Sequence, residues 1–141
     1  MSIIPDSDFG TRVRERLENE KAIWFTTTSA DGTPQPNPVW FLWEPDEDAL
    51  LIYNAYDAKR LDHVAVRPRV ALNLNSDADG DDVVVFVGVA EQALDVPPAA
   101  EYEPYLTKYA TDVERIGMDA ESFAEKYSVA LRIRLVKVRG F

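Results

Sequence analysis

The chain has 141 residues, of which 46 % are hydrophobic and none is cysteine, so we expect one globular domain over residues 1–141 without disulfides or thiolate metal sites. Its formal charge is −10, and a field of that sign repels phosphate backbones, which argues against nucleic acid as a partner. Its apolar runs are too short for a membrane span, and residues 1–6 lack the pattern of a signal peptide, so we expect a cytoplasmic protein.

The first elements in chain order are a helix and two strands. Apolar residues recur every four positions over residues 7–20, which predicts an amphipathic helix with Ser7 as its N-cap. Aromatic and β-branched residues predict a strand at 22–29. Asp31-Gly32 favours a two-residue hairpin turn with positive φ at both positions, followed by a return strand at 35–43.

The remaining elements give an α+β fold. They are a strand at 49–54, a helix at 58–66, strands at 70–75 and 83–94, helices at about 98–115 and 120–127, and a sixth strand at 129–135. Gly117 is expected to end the longer helix and Asp119 to cap the next one. Because hairpin-length connections join the first strands, we expect a six-stranded, mainly antiparallel sheet that closes into a small barrel with peripheral helices.

The return strand carries three prolines at alternate positions: Pro34, Pro36 and Pro38. Residues two apart in a strand point their backbone N–H groups the same way, so one side of this strand lacks three consecutive donors. One interpretation is an edge strand protected from further pairing. The other is a slot in which a flat ligand lies along Gln35, Asn37 and Val39, and the sequence alone leaves both open.

A local reversal of charge follows in the helix at 58–66 and just beyond it. Four cations stand near a single anion, Asp62: Lys59, Arg60, Arg67 and Arg69. Lys59 and Arg60 fall in the first helical turn, where free N–H groups and the helix dipole already favour an anion. This placement favours an anion-binding site. The alternative is a solvated helix face on which these cations pair with Asp57 and Asp62.

The sequence contains no recognisable pattern for metal binding or nucleophilic catalysis. His63 is the only histidine, so a histidine-rich metal site is excluded and a structural role is favoured. The acidic run 77–82 fails the calcium-loop pattern because Gly80 stands at its fourth position and Gly88 at its twelfth. No Gly-x-Ser-x-Gly, Gly-x-Gly-x-x-Gly or Walker motif is present. If the chain is an enzyme, its chemistry therefore belongs to a bound cofactor.

Several segments together resemble a known superfamily. Trp24–Thr28, Asp31–Phe41, Lys59–Leu61 and Arg67–Val70, in this order and spacing, are similar to the flavin/deazaflavin oxidoreductases, the split β-barrel group related to pyridoxamine 5′-phosphate oxidase. The ending Val138–Phe141 resembles a subgroup of coenzyme F420-dependent enzymes. The resemblance implies an FMN-binding split barrel that forms a homodimer, with two cofactor sites at the subunit interface.

The resemblance also implies three groups of cofactor-binding residues. They are Asn37, Pro38, Val39 and Trp40 for the ring, Tyr53 and Asn54 for the ribityl chain, and Lys59 and Arg60 for the phosphate. The basic residues that bind the substrate phosphate in pyridoxamine phosphate oxidases have no recognisable counterpart, so that activity is not expected. No catalytic side chain is assigned.

The function implied by the resemblance is reduction of a small molecule. We expect an F420H2-dependent reductase that transfers hydride to an unsaturated or electron-poor small organic molecule, with coenzyme F420 as cofactor. Two alternatives stay open at this point. One is an FMN-dependent oxidoreductase of the same fold, and the other is a non-catalytic member that binds a cofactor or haem.

Overall fold

A computed structural model describes residues 2–141 and contains seven strands, four α-helices and two short 3-10 turns. The helices are α1 (Asp8–Asn19), α2 (Lys59–Val66), α3 (Glu103–Arg115) and α4 (Ala120–Lys126). The strands are β1 (Ala22–Thr28), β2 (Pro34–Trp40), β3 (Leu42–Glu44), β4 (Ala49–Asn54), β5 (Arg69–Asn73), β6 (Val84–Gln92) and β7 (Val129–Gly140). No helix within residues 2–141 is long and apolar enough to cross a membrane.

The strands form one antiparallel sheet in the order β2-β1-β5-β6-β7-β4-β3. β2 and β3 lie at opposite ends of this order but are consecutive in the chain, separated only by Phe41. The sheet must therefore curl until its two edges meet, which makes the split barrel. The expected α+β fold with an antiparallel barrel and peripheral helices is confirmed.

The structure corrects the expected six strands to seven, because the return strand at 35–43 breaks at Phe41. The Phe41 N–H donates to the Tyr109 hydroxyl at 2.9 Å, and its carbonyl accepts from Lys108 Nζ at 2.7 Å. Both backbone groups are thus bonded to side chains of α3 and are unavailable to a neighbouring strand. Before this corner the chain pairs with β1, and after it the chain pairs with β4.

The turn at Asp31-Gly32 also differs from the expectation. Gly32 has a φ of 86°, whereas Asp31 is not in the left-handed region. The Gly32 N–H donates to the Ser29 carbonyl at 2.9 Å, and the Ser29 N–H donates to the Thr33 carbonyl at 3.0 Å. The connection therefore spans residues 29–33. The Asp31 carboxylate accepts from Ser29 Oγ at 2.7 Å and from the Thr33 N–H at 3.0 Å, so this longer turn satisfies its side chain.

The predicted helix ends agree with the structure, with one exception. Ser7 caps α1 by accepting the Gly10 N–H, and Asp119 caps α4 in a capping box with Ser122. Gly117, with a φ of 82°, lies just beyond α3. The expected helix at 98–115 instead begins as a 3-10 turn at Ala99–Glu101, and α3 follows at Glu103 with a proline in its first turn.

Strand β4 separates two hydrophobic clusters, because all six of its residues are buried. Leu50 and Ile52 face the inside of the barrel, and Leu51 and Tyr53 face α3 and α4. We call the first cluster the barrel core; it includes Ile23, Phe25, Leu50, Ile52, Phe86 and Ile133. We call the second the aromatic cluster; it includes Tyr53, Tyr105, Tyr109 and Phe123, with Trp40 and Tyr127 packed against it.

Candidate functional site

A cavity of about 260 Å³ opens between β2, β4, the start of α2, and the helices α3 and α4. It is lined by Pro38, Val39, Trp40, Tyr53, Arg60, Tyr105, Ile116, Phe123 and Tyr127. Five of these nine residues belong to the cofactor-binding set expected from the sequence, and they come from three separate segments. The fold therefore brings these segments together at one place, flanked by the aromatic cluster.

A larger groove of about 640 Å³ lies elsewhere, along β3 and the start of α3. Its lining includes four carboxylates: Glu18, Glu44, Asp46 and Glu47. Such a surface repels a phosphate-bearing ligand. The smaller cavity, whose lining includes Arg60 and no carboxylate, is the better candidate for an anionic cofactor.

The proline-rich part of β2 forms the open side of this site. Residues 34–38 are exposed, and β2 lies at the edge of the sheet. Ser29 and Thr33 are a hydrogen-bonded pair, and such pairs alternate along an antiparallel ladder. The backbone N–H groups of Gln35 and Asn37 therefore point towards β1, and the backbone nitrogens of the three prolines point away from it. The outer edge therefore has no N–H donor at three successive positions, which confirms the protected edge strand. Asn37 is exposed beside the cavity lining and Pro38 is part of it.

Arg60 enters the cavity from the first turn of α2 and is held there by Asn54. Its Nε donates to Asn54 Oδ1 at 2.6 Å, while the Asn54 amide donates to the carbonyls of Ile52 and Val129, each at 3.0 Å. Asn54 has no exposed surface. In this structure it positions Arg60 rather than presenting a free atom to the cavity. Burial lowers the pKa of Arg60, and the neighbouring Tyr127 partly offsets this effect.

The start of α2 carries two cations that have no counter-ion. Within residues 2–141, neither Lys59 nor Arg60 forms an ion pair, so the alternative in which they pair with Asp57 and Asp62 is not realised. Ala58 precedes the helix and provides no side-chain cap, which leaves first-turn N–H groups available. Lys59 is exposed and Arg60 is half-buried. This arrangement suits an anion that reaches the cavity from outside.

Aromatic rings form the opposite wall of the cavity. Trp40 stacks on Tyr109 with ring centroids 4.8 Å apart and on Phe123 at 5.7 Å. Tyr53 meets Tyr105 edge-to-face at 4.8 Å. Tyr105, Phe123 and Tyr127 also line the cavity and were not predicted from the sequence. A stripe of Tyr102, Tyr105 and Tyr109 at helical spacing indicates a buried face on α3, but it does not reveal what that face packs against.

The tyrosine hydroxyls of the aromatic cluster differ in their hydrogen bonding. Tyr53 donates to the Pro97 carbonyl at 2.7 Å, and Tyr109 contacts the Lys21 carbonyl at 2.7 Å. The Tyr105 hydroxyl is buried without a partner, alone among the buried side-chain polar atoms of residues 2–141. Burial raises the pKa of Tyr53 to about 12 and also raises the pKa of Tyr105 and Tyr109. All three phenols therefore keep their protons at neutral pH.

The remaining polar features of the sequence have structural contacts. His63 Nδ1 lies 2.8 Å from the buried Thr27 hydroxyl and so links α2 to β1. In the acidic loop, Asp77 accepts the N–H groups of Asp79 and Asp81 at 3.0 and 2.8 Å, which shapes a turn. No cluster of three or more histidine or acidic side chains suited to a metal ion occurs in the part of the chain that the structure describes.

Comparison with known proteins connects this fold to a family. The family model described as pyridoxamine 5′-phosphate oxidase matches residues 9–141. A search of curated protein sequences finds no match.

Solved structures share the fold at low sequence identity. HutZ, the haem storage protein from Vibrio cholerae, is 16 % identical, with 99 % of this chain and 95 % of that chain covered and a TM-score of 0.63. An F420 reductase is 19 % identical, with 89 % and 94 % covered and a TM-score of 0.66. A FAD-binding protein from Mesorhizobium loti is 17 % identical, with 89 % and 88 % covered and a TM-score of 0.63. At these identities the likeness shows the fold alone.

Proposed function

This chain belongs to the pyridoxamine 5′-phosphate oxidase family, and from that premise we propose that it is an F420H2-dependent reductase acting on an unsaturated or electron-poor small organic molecule. Membership of the family fits an oxidoreductase or a cofactor-binding protein. The observation that carries the proposal is the environment of Arg60. Its side chain is half-buried beside a cavity with aromatic walls, and it forms no ion pair with a carboxylate in the described chain. A phosphate group supplies the missing negative charge.

The residues around the cavity fit a ligand made of a flat ring, a polar chain and a phosphate. Lys59, Arg60 and the first-turn N–H groups of α2 would hold the phosphate. Tyr53 would lie beside the ribityl chain, and Asn54 would keep the Arg60 guanidinium in place. The ring would be bordered by the end of β2, namely Asn37, Pro38, Val39 and Trp40. The similarity in fold to an F420 reductase supports the choice of the deazaflavin.

In the proposed mechanism the protein binds and orients the reactants, and the reduced deazaflavin supplies the hydride when it is bound. Asn54 holds the Arg60 guanidinium through a 2.6 Å hydrogen bond, so that Arg60 would meet a bound phosphate in a fixed orientation. The stacked rings of Trp40 and Phe123 form an apolar wall that would keep water from one side of a bound ring. Tyr53 keeps its proton and donates a hydrogen bond to the Pro97 carbonyl, so it contributes a neutral wall and no charge.

A second copy of the chain is the proposed partner, with the cofactor sites at the interface. The outer side of β6 carries three half-buried valines at alternate positions: Val85, Val87 and Val89. The register places Val89 between Arg69 and Arg134, both exposed and without ion pairs in the described chain. An apolar stripe of this kind gains stability when a second subunit covers it. Val87→Glu should then convert a dimer into a monomer in sedimentation experiments.

Titration of cofactor-free protein with oxidised F420, and separately with FMN, tests the cofactor class. The site variant replaces both cations, Lys59→Ala with Arg60→Ala. The matched control removes two positive charges from α1, Arg12→Ala with Arg14→Ala, and neither residue lines the cavity or adjoins its lining. Because charge-assisted contacts contribute about 1.5–3 kcal/mol each, F420 affinity should fall more than tenfold in the site variant and stay within about twofold in the control.

Each other result of this titration has a definite meaning. Unchanged F420 affinity in the site variant contradicts the phosphate assignment. Tighter binding of FMN than of F420 moves the protein to the flavin-dependent alternative on the same scaffold. Binding of neither cofactor contradicts the proposed function as a whole.

The second candidate function is haem binding without catalysis, which the similarity in fold to HutZ favours. His63 is the only histidine of the chain, and its Nδ1 is bonded to Thr27, which leaves Nε2 for a ligand. Addition of haem should then give a Soret band that His63→Ala shifts or abolishes. A band that is identical in this variant excludes ligation by His63.

A further inference from the structure

The outer side of strands β5, β6 and β7 forms a face that carries four exposed cations, and we call it the basic face. Val85, Val87 and Val89 of β6 form its middle. The register places one residue of β5 and one residue of β7 beside each valine: Arg69 and Arg134 beside Val89, Ala71 and Lys137 beside Val87, and Asn73 and Arg139 beside Val85. The four cations are exposed, and no carboxylate lies in these three rows, so the face has a formal charge of +4.

The charge of the basic face is not neutralised within the described chain, residues 2–141. None of its four cations forms an ion pair. Arg132, the next outward cation of β7, differs because it pairs with Glu44, Glu47 and Asp95. Glu91, opposite Arg132 in the register, lies one row beyond the face. In a chain with a net charge of −10, an exposed basic face with an apolar middle favours a negatively charged ligand or partner.

This charge opposes the association of two copies of the chain. A two-fold axis brings the same surface of both subunits together. When the two β6 stripes stack, β7 of one subunit lies over β5 or β7 of the other, and the three rows of these strands contain no carboxylate. Packed sheets lie about 10 Å apart, which is about the Debye length at 0.1 M salt. The cations of the two subunits therefore repel each other as the valines approach.

We propose that two copies of the chain associate through the basic face only when multivalent oxyanions, such as inorganic phosphate, bind between the cations of the two subunits. This role of the face rests on the proposed function, which includes the second copy. A phosphate ion has several oxygens that accept charge-assisted hydrogen bonds from arginine and lysine, so one ion can contact both subunits. Because the ion binds the dimer more tightly than the monomer, it stabilises the dimer by mass action.

An anion beside the cations differs from a carboxylate in the middle of the face. Arg134 and Arg139 are exposed, so a phosphate ion next to them keeps part of its hydration. A carboxylate in place of the half-buried Val87 would instead lose its hydration when the second copy covers the valines. Val87→Glu should therefore stay monomeric in phosphate as well as in chloride.

Sedimentation equilibrium of the cofactor-free full chain in two buffers tests the proposal. The buffers have the same pH and ionic strength, and one contains inorganic phosphate where the other contains only chloride. The dimer dissociation constant of the wild type should be more than tenfold lower in phosphate. Because the ionic strength is matched, screening is equal and the difference reports bound phosphate. Equal dissociation constants in the two buffers overturn the proposal.

A variant with fewer cations separates repulsion from direct contact. Arg134→Gln with Lys137→Gln changes two exposed residues of the face, so it should fold like the wild type. It should dimerise more tightly than the wild type in chloride, because the repulsion is weaker, and phosphate should change its dissociation constant by less than about threefold. The control, Arg115→Gln with Lys126→Gln on the exposed sides of α3 and α4, should follow the wild type. A weaker dimer of the first variant in both buffers overturns the proposal, and so does a wild type that is monomeric in both.

The location of the phosphate is tested with the variant that lacks the cations of α2. Lys59→Ala with Arg60→Ala should keep the full effect of phosphate on dimerisation, because neither residue belongs to the basic face. Loss of the effect in this variant would assign the phosphate to α2 and overturn the proposal.

The outcomes for the basic face and for the proposed function are separable. If F420 binds as expected and phosphate has no effect on dimerisation, the proposed reductase stands and the role of the basic face fails. If F420 does not bind but the dimer depends on phosphate, the proposed reductase fails and the role of the basic face stands.

Discussion

The barrel core and the aromatic cluster occupy opposite faces of the same strand, β4, and they differ in the side chains that they contain. Leu50 and Ile52 pack among aliphatic and aromatic side chains, of which only Trp43 contains a polar atom. Leu51 and Tyr53 face a layer rich in tyrosine, in which every ring hydroxyl needs a partner and a cavity remains. The first cluster closes the barrel, whereas the second leaves a cavity beside its rings.

The largest expected effect is a difference in the unfolding free energy lost when a phenylalanine is truncated in each cluster. Phe86 is fully enclosed in the barrel core, so Phe86→Ala should lower the free energy of unfolding by about 3–5 kcal/mol. Phe123 borders the cavity, so Phe123→Ala should cost less, because part of its ring has no neighbour to lose. Urea unfolding followed by circular dichroism measures both. Equal losses would mean that the aromatic cluster is packed as tightly as the barrel core.

The second prediction compares two neighbouring tyrosines of the aromatic cluster. Tyr105 and Tyr109 lie one helical turn apart on α3, with ring centroids 4.8 Å apart. Tyr109→Phe leaves the buried N–H of Phe41 and the Lys21 carbonyl without their partner, which should cost about 1–3 kcal/mol of unfolding free energy. Tyr105→Phe is the matched control and should cost nothing. A similar loss in both variants would contradict the hydrogen-bond assignments.

A smaller effect should appear as a dependence on pH at the corner where the two clusters meet. Burial, aided by the charge of Lys21, lowers the pKa of Lys108 from 10.5 to about 8, against weaker opposing effects of Glu18 and Glu20. Between about pH 8 and 10.5 the unfolded chain holds a proton that the folded chain has released. The free energy of unfolding therefore rises with pH in this window.

Lys108→Met removes the titrating group, so the rise should be missing from its stability profile. Urea midpoints measured from pH 7.5 to 9.5 should diverge between the wild type and this variant. Tyrosine in the unfolded chain, with a pKa of about 10, is still mostly protonated at pH 9.5, and both proteins carry the same tyrosines, so the difference between their profiles reports Lys108. Lys126→Met, at an exposed position, is the control and should follow the wild type. Parallel profiles for Lys108→Met and the wild type would show that Lys108 is not buried as described.

The smallest effect lies outside both clusters, in the β1–β2 turn. Hydrogen bonds from Ser29 and Thr33 lower the pKa of the exposed Asp31 to about 2. Its contribution to stability is present above the unfolded pKa of about 3.8 and is lost as the pH falls towards 2. Asp31→Ala should lower Tm by a small amount at pH 7, and the difference from the wild type should vanish near pH 2. A constant difference across this range would assign the effect to the turn backbone instead of the carboxylate.

Much of the fold and part of the candidate site could be predicted from the sequence. Apolar spacing located α1 and α2, and residue type and turn signals located β1 and β4, all within one or two residues, because each pattern depends on neighbours in the chain. The resemblance proposed Pro38, Val39, Trp40, Tyr53 and Arg60 for one site, and these five line one cavity. Their role in cofactor binding remains a prediction. Tyr105 and Phe123 escaped notice because their helical pattern does not reveal what they face.

Features that depend on neighbours in the chain were predicted correctly from the sequence. Ser7 and Asp119 cap helices because each side chain reaches N–H groups only three residues ahead. The alternating prolines of β2 make a protected edge because proline has no N–H to donate.

Hydrogen bonds between distant segments became known only from the folded structure. The strand breaks at Phe41 because Lys108 and Tyr109, almost seventy residues away, bond its backbone groups. The packing of distant elements also explains why Asn54 is buried behind Arg60 and why the Tyr105 hydroxyl has no hydrogen-bond partner. A polar group's partner depends on which elements pack against it, and that is settled only when the sheet curls and α3 and α4 cover β4.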